Sequence, residues 1–205
     1  MIGVIDYGVG NLFSLTASLK HLGLKTVVTD DADTLLACDK LILPGVGAFG
    51  DARRKLSEKG LDRLIVEEAS RGKPLLGICL GMQMLFDSSS EYGFHKGLGL
   101  IGGRVEPIEP DLTKPLKIPH IGWNALHFVK DSPLFSYVDE GEFVYFVHSY
   151  YAKDCAPDTL CTAEYDIPLT AAVGRGNVFG TQFHPEKSGD TGLRILKGFA
   201  DQEVR

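Results

Sequence analysis

Cys79 lies midway between two glycines, in Gly77-Ile78-Cys79-Leu80-Gly81. This is a cysteine version of the G-x-S-x-G nucleophile elbow, in the context that motif requires: an apolar strand run, Leu75–Ile78, before it and a helical run, Leu80–Phe86, after it. An elbow carries its nucleophile on a sharp, strained turn, and small residues two positions to either side let strand and helix pack without striking it. At a helix start the sulfur is near unpaired N–H groups and the positive end of the dipole, which favours thiolate. The competing reading is a buried strand cysteine, the usual place of a free thiol. The paired glycines favour the nucleophile.

A thiolate nucleophile needs a base to move protons and a third group to hold that base. Gln182-Phe183-His184-Pro185-Glu186 closes an extended run. Residues i and i+2 of extended backbone point to one side, so His184 and Glu186 are expected to meet, with Pro185 forbidding helix and keeping the pair extended. Glu186 would accept from one imidazole nitrogen and leave the other facing Cys79. A solvated surface His and Glu is the alternative. Leu43-Pro44-Gly45-Val46-Gly47-Ala48-Phe49-Gly50 is a glycine-rich loop leaving a strand. Acyl chemistry builds charge on an oxygen, and the amide of Leu80 with one from Val46 or Gly47 is the natural pair to receive it. The other reading is a tight turn into the next helix. Tyr7-Gly8-Val9-Gly10-Asn11 suggests a dinucleotide loop, but Phe13 stands where the third glycine belongs, and that reading is rejected. For His120, Trp123 and His148, spacing alone does not separate packing from site.

The elements that must position these groups alternate. Ile2–Asp6, Thr26–Thr29, Leu41–Leu43 and Leu75–Ile78 are short apolar strand runs. Leu12, Leu15, Leu19 and Leu22 fall at helical spacing, with Asn11 as N-cap and Gly23 as the stop. The charged stretch from Asp51 to Arg71 reads as two helices broken near Gly60. Strands apolar throughout and separated by helices mean a parallel sheet covered on both faces, and sites gather along one edge of such a sheet. After Ser88 the rhythm changes, with strand-type runs at 125–129, 142–147, 160–165 and 177–183. A last helix over 191–200 places Leu193, Leu196 and Phe199 on one face. The expected fold is a single α/β domain with a mixed, largely parallel central sheet flanked by helices, plus additional antiparallel strands in the second half.

With 205 residues, 44% hydrophobic and 23% charged, the chain can build a large core and is not a disordered sequence. A net charge of -6 without a Lys/Arg run argues against nucleic acid. The longest uncharged stretch, Pro74–Phe86, is too short to span a membrane. The N-terminus has no signal-peptide pattern. The four cysteines show no metal spacing, so reduced thiols and a cytoplasmic setting are expected.

Six patches carry a resemblance: Asp6-Tyr7-Gly8-Val9-Gly10-Asn11, Pro44-Gly45-Val46-Gly47-Ala48-Phe49, Gly77-Ile78-Cys79-Leu80-Gly81-Met82-Gln83, Pro119-His120-Ile121-Gly122-Trp123-Asn124, His148-Ser149-Tyr150 and Gln182-Phe183-His184-Pro185-Glu186-Lys187-Ser188. In this order they resemble the class I, triad-type glutamine amidotransferases, across nearly the whole chain. They are most similar to the branch that serves histidine biosynthesis. The resemblance implies one glutamine amidotransferase domain over 1–205, with a flavodoxin-like core. It implies a Cys79–His184–Glu186 triad that hydrolyses glutamine to glutamate and ammonia. Gly45, Gln83, Ser149 and Tyr150 would hold the glutamine. Ammonia would pass to a (β/α)8-barrel cyclase subunit, a separate polypeptide in a heterodimer, that makes imidazole glycerol phosphate and an aminoimidazole carboxamide ribotide. No cofactor and no metal are implied. Asn11, Trp123 and Lys187 would lie at the subunit interface.

One departure bears on regulation. The loop commonly reads Pro-Gly-Gly in the family, whereas here it is Pro44-Gly45-Val46. A β-branched residue resists positive φ, so the oxyanion amide is expected to be unset at rest. Two other readings of the chain stand beside this one: another triad amidotransferase or stand-alone cysteine hydrolase of the same fold, and a flavodoxin-like binding module whose Cys79 is inert.

Overall fold

The computed structural model describes residues 1–203. The first half alternates β1 (Ile2–Ile5), α1 (Leu12–His21), β2 (Thr26–Thr29), α2 (Ala32–Leu36), β3 (Lys40–Leu43), α3 (Phe49–Glu58), α4 (Leu61–Ser70), β4 (Leu75–Ile78) and α5 (Leu80–Met84). Short strands follow at β5 (Ser88–Ser89), β6 (His95–Lys96), β7 (Arg104–Pro107), β8 (His120–Ala125) and β9 (His127–Phe128). The chain then forms β10 (Phe143–His148), β11 (Tyr150–Lys153), β12 (Thr159–Tyr165), β13 (Ile167–Arg175), β14 (Val178–Thr181) and α6 (Gly189–Ala200).

The main sheet runs in the order β2-β1-β3-β4-β14-β13-β12-β9. Strands β2, β1, β3, β4 and β14 are parallel, and β13, β12 and β9 continue antiparallel. The fold is therefore the expected α/β domain with a mixed sheet and antiparallel additions. Alternation along the buried strands divides the core. Ile5, Leu41, Leu43 and Leu75 face the side packed by α3 and α4. Val4, Ile42, Leu76 and Ile78 face the side packed by α1 and α6. Each such side chain, taken fully out of water, contributes roughly 1.5–3 kcal/mol. Two smaller sheets, β10-β8 and β11-β7-β5-β6, sit beside the main one. No helix among the described residues is long and apolar enough to cross a membrane.

Local expectations hold in the first half and need correction in the second. Gly60, at φ +67°, separates α3 from α4. Asn11 stands at the N-cap position of α1, but its side chain makes no capping bond. The short helix α2, capped by Asp31 onto the Thr34 N–H at 2.9 Å, carries too few residues for a periodic signal. The run 125–129 is not one strand: β8 ends at Ala125, Leu126 turns into the core, and β9 occupies only His127 and Phe128. Strand β13 leaves no strand signal in the sequence, because Pro168, two alanines and Gly174 give it poor strand propensity. Pairing with β12 and β14 on both sides makes it a strand nonetheless. On α6 the buried stripe is Gly192, Ile195, Leu196 and Phe199, with Leu193 only half buried.

Glu142, just ahead of β10, ties that strand to α6. It accepts from Arg194 Nη1 at 2.7 Å, the Thr191 hydroxyl at 2.7 Å and the Asp139 N–H at 3.0 Å. The Arg194 guanidinium leads in holding this carboxyl down to about 2, against opposing burial. A depressed carboxylate contributes stability that is present above its unfolded range near 4.5 and lost as pH falls through about 2. Glu142→Gln is therefore expected to cost about 1–3 kcal/mol at pH 7. In urea titrations at successive pH values, its deficit should begin to close below pH 4.5.

Candidate active site

The carboxyl ends of β1, β3, β4 and β14 meet along one edge of the sheet, where the chain leaves each strand with a chemically capable residue. Cys79 follows β4 directly and has φ 54° and ψ −111°, a conformation costing on the order of 1–3 kcal/mol for a non-glycine residue. Its N–H is held by Thr181 O at 2.7 Å and its carbonyl accepts from the Gln83 N–H at 3.1 Å. The flanking glycines are required by space. A Cβ on Gly81 would stand 1.8 Å from Leu43 O, and one on Gly77 2.6 Å from Gly81 O. The loop after β3 presses on the same turn, since a Cβ on Gly45 would lie 2.8 Å from Gly81 N. Tyr7, after β1, pins that loop by donating its hydroxyl to Pro44 O at 2.7 Å. Burial first, and negative charge at Cys79 second, push the Tyr7 phenol far above its usual range.

His184 and Glu186 meet as expected, Nδ1 to Oε1 at 2.8 Å, with both side chains buried. The backbone route differs from the expectation. Only His184 is extended (φ −99°, ψ 98°), and Pro185–Lys187 forms one turn of 3-10 helix with Pro185 at its first position. Proline is suited to that position because its missing N–H would have no partner there, and it enforces extension only on the residue before it. Burial works against a charge on His184. Hydrogen bonds to Cys79 and Glu186 outweigh it and raise the imidazole to about 10. Nδ1 serves Glu186, which leaves Nε2 for the pocket that His184 shares with Cys79. The second carboxylate oxygen of Glu186 is buried without a hydrogen-bond partner.

A pocket of about 330 Å³ opens over Cys79, lined by Val46, Gly47, Leu80, Gln83, Ser149 and Tyr150, with Glu91, His148, His184 and Lys187 also on its walls. Leu80 begins α5, so its N–H has no intrahelical acceptor and is free to point at a ligand. In the loop, Gly47 takes the positive φ of +91°, and Val46 does not. Gly45 lies behind the pocket, in a crevice with Asn11, His184 and Glu186. Gln83 is more committed than a ligand-binding role alone requires: its Nε2 donates to Tyr150 O at 3.1 Å and Gln182 Oε1 at 3.0 Å. Trp123 is 53% exposed on β8 and packs edge-on against Tyr145 of β10 at 6.0 Å, and Lys187 Nζ lies 5.9 Å from the centre of the same ring. These two of the three interface candidates thus share one outward face, and Asn11 sits apart near Glu186.

Four residues at the site were missed or left undecided from the sequence. His148 Nδ1 donates to Tyr150 O at 2.8 Å, and its Nε2 is 3.1 Å from His120 Nδ1. Burial drives His148 down to about 3, so it is a neutral imidazole beside the charged one. Glu91 receives the Phe49 N–H at 2.6 Å. Gln182 reaches Cys79 Sγ, and its place two residues before His184 is a period-two signal that could have found it. Tyr7 and Glu91 leave no comparable trace in spacing.

A strained cysteine at a strand-to-helix turn, facing a carboxylate-held imidazole on the carboxyl edge of a mixed sheet, is the arrangement of a thiol acyl-transfer enzyme. The family described as "Glutamine amidotransferase class-I" matches residues 3–202, and the chain belongs to it. Two solved structures share the fold at low identity. "Crystal structure of glutamine amidotransferase" has a TM-score of 0.75 and 20% identity, covering 97% of this chain and 98% of that one. "Structure of PurLQS from Thermotoga maritima" has a TM-score of 0.73 and 22% identity, covering 98% and 97%. Two curated relatives narrow the family. "Imidazole glycerol phosphate synthase subunit HisH" of Geobacillus kaustophilus is 53% identical over 97% of this chain and 95% of its own length. The protein of the same name from Bacillus velezensis is 50% identical over the full length of both. Within the class-I family, the chain falls in this subunit group.

The crossing at Gly81 sets a sharp expectation. Gly81→Ala should destabilise the fold by about 3 kcal/mol or more, beyond ordinary overpacking, because backbone is struck. Gly60→Ala, where nothing lies within 4 Å and only the positive φ is at issue, should cost about 1 kcal/mol. Urea unfolding of the two variants against the parent checks the ranking.

Proposed function

We propose that this chain is the glutaminase subunit of an imidazole glycerol phosphate synthase, and that Cys79, His184 and Glu186 hydrolyse glutamine to glutamate and ammonia. The observation that carries the reading is the His184 Nδ1–Glu186 Oε1 pair at 2.8 Å, with His184 sharing with the strained Cys79 a pocket large enough for an amino acid. The Cys79 thiolate attacks the side-chain amide carbon of glutamine. The oxyanion turns to the Leu80 N–H and to an amide of the Val46–Gly47 segment. An imidazole raised to about 10 keeps its proton at neutral pH, and delivers it to the nitrogen as the carbon–nitrogen bond breaks and ammonia leaves. His184, now neutral, draws a proton from water, whose oxygen attacks the thioester. Collapse releases glutamate and returns the thiolate–imidazolium pair. Gly45, Gln83, Ser149 and Tyr150 hold the amino-acid part of the substrate, with the Glu91 carboxylate on the same wall available to its ammonium group.

Ammonia then passes to a (β/α)8-barrel cyclase subunit, which makes imidazole glycerol phosphate and an aminoimidazole carboxamide ribotide in the cytoplasm. The exposed face around Trp123 and Lys187, together with Asn11, is the side offered to that partner. Val46 keeps negative φ, which supports the view that the loop becomes fully competent for the oxyanion only with the partner in place. The energy involved is modest, about 2.7 kcal/mol for a hundredfold change in rate.

Glutamate release from glutamine tests the reading. The chain alone should be slow, the chain with a cyclase and its nucleotide ligand should be faster by about a hundredfold, and Cys79→Ala should be silent in both. A full rate from the isolated chain would keep the chemistry and discard the partner's role.

A further inference from the structure

The side-chain amide of Gln182 is fully buried beside the sulfur of Cys79, with Nε2 3.8 Å from Sγ, and no step described above uses it. Which end of the amide faces the sulfur is decided by its neighbours. The carbonyl of Tyr150 can only accept. It receives His148 Nδ1–H at 2.8 Å and Gln83 Nε2 at 3.1 Å. That contact fixes Gln83 with its nitrogen inward, and the second N–H of the same group goes to Gln182 Oε1 at 3.0 Å. With its oxygen so engaged, Gln182 presents its NH2 to Cys79. The reverse orientation would set two NH2 groups against each other and point an amide oxygen at the lone pairs of the sulfur, leaving buried donors unpaired.

We propose that Gln182 is a further catalytic residue: its Nε2–H donates to the Cys79 sulfur and stabilises the thiolate, with Gln83 and the Tyr150 carbonyl as positioning groups. The proposal rests on the reading of Cys79 as the glutaminase nucleophile and deepens it. His184 cannot hold the sulfur throughout the cycle, because it must turn its proton to the departing ammonia. Gln182 has no proton to give up and stays in place. Its N–H matters least when the sulfur is a neutral thioester. It matters again when the second tetrahedral intermediate collapses and the sulfur leaves as thiolate. A neutral amide supplies this donor without the desolvation cost of a second buried charge.

The titratable groups around the sulfur come from several elements. They are His184 backed by Glu186 after β14, Tyr7 after β1, His148 on β10, and Glu91 and Lys187 on the pocket walls. Substitution of Gln182 leaves all of them in the chain, so a change in the pH profile reports the amide.

The test is iodoacetamide labelling of Cys79 in the full-length chain, followed by peptide mass spectrometry from pH 5 to pH 10, for the parent, Gln182→Met and Gln182→Asn. The first removes the donor and the second withdraws it. On the acid side of the profile, below the parent's half-maximal pH, labelling should slow about tenfold, the weight of one hydrogen bond of ordinary net strength. The pH of half-maximal labelling should move up, and the rate at the alkaline plateau should match the parent. A folded variant with the parental profile overturns the proposal. Equal slowing at every pH overturns it too, since that is the mark of a purely structural role, as does failure of both variants to fold. Glutamate release by the parent is assayed alongside. Its absence with and without a cyclase removes the glutaminase reading itself, whereas its presence with unshifted variants removes Gln182 alone.

Discussion

The first turn of α5 lies against the end of β3 at a distance that only glycine allows. A Cβ on Gly81 would stand 1.8 Å from Leu43 O, and Gly45 comes onto the same turn from the following loop. This contact sets the geometry of the whole edge. It forces the chain to turn within one residue after β4, which is why Cys79 carries a positive φ. It also brings the Val46–Gly47 backbone to the same pocket as the Leu80 N–H. The strain at Cys79 is held by bonds on both sides of the residue, from the Gln83 N–H and to Thr181 O. Packing of α5 onto the sheet, with Leu80, Met82 and Met84 buried, supplies the energy that keeps it.

Two histidines share the pocket in opposite charge states, and their surroundings explain the division. His148 has one carbonyl that favours a positive charge, and burial together with the neighbouring imidazoles outweighs it. His184 has a carboxylate on one side and the thiol on the other, and both favour the imidazolium. Burial alone would have treated the two alike.

The sequence carried the first half of the fold and the centre of the site, for identifiable reasons. Strands β1, β3 and β4 carry apolar runs, β2 is β-branched at every position, helices α1, α3 and α4 are periodic, and Gly23 and Gly60 punctuate them. Cys79 was legible because sterics imposes glycine on both sides, and the His184–Glu186 meeting was legible from a two-residue spacing. The 3-10 turn at Pro185 was not, because proline restricts only the residue before it and fits the first position of a helical turn as well as extended backbone. Strand β13 and the small sheets depend on pairing between distant segments, which local propensity does not encode. Gln182 at the Cys79 sulfur, Glu91 on the pocket wall and Tyr7 at the Pro44 carbonyl come from three different parts of the chain, and only assembly of the sheet brings them together.

Tyr145 has two attachments of different kind. Its ring lies on the outward face with Trp123 and Lys187. Its backbone is clamped to the segment that carries His184: its carbonyl accepts the His184 N–H at 3.0 Å, and its own N–H goes to the Ser188 hydroxyl at 3.0 Å. Strands β8 and β10 form a ribbon of their own, so this residue works as a rivet through a thin plate. Only a single peptide unit separates the outer surface of that plate from the segment that holds the imidazole.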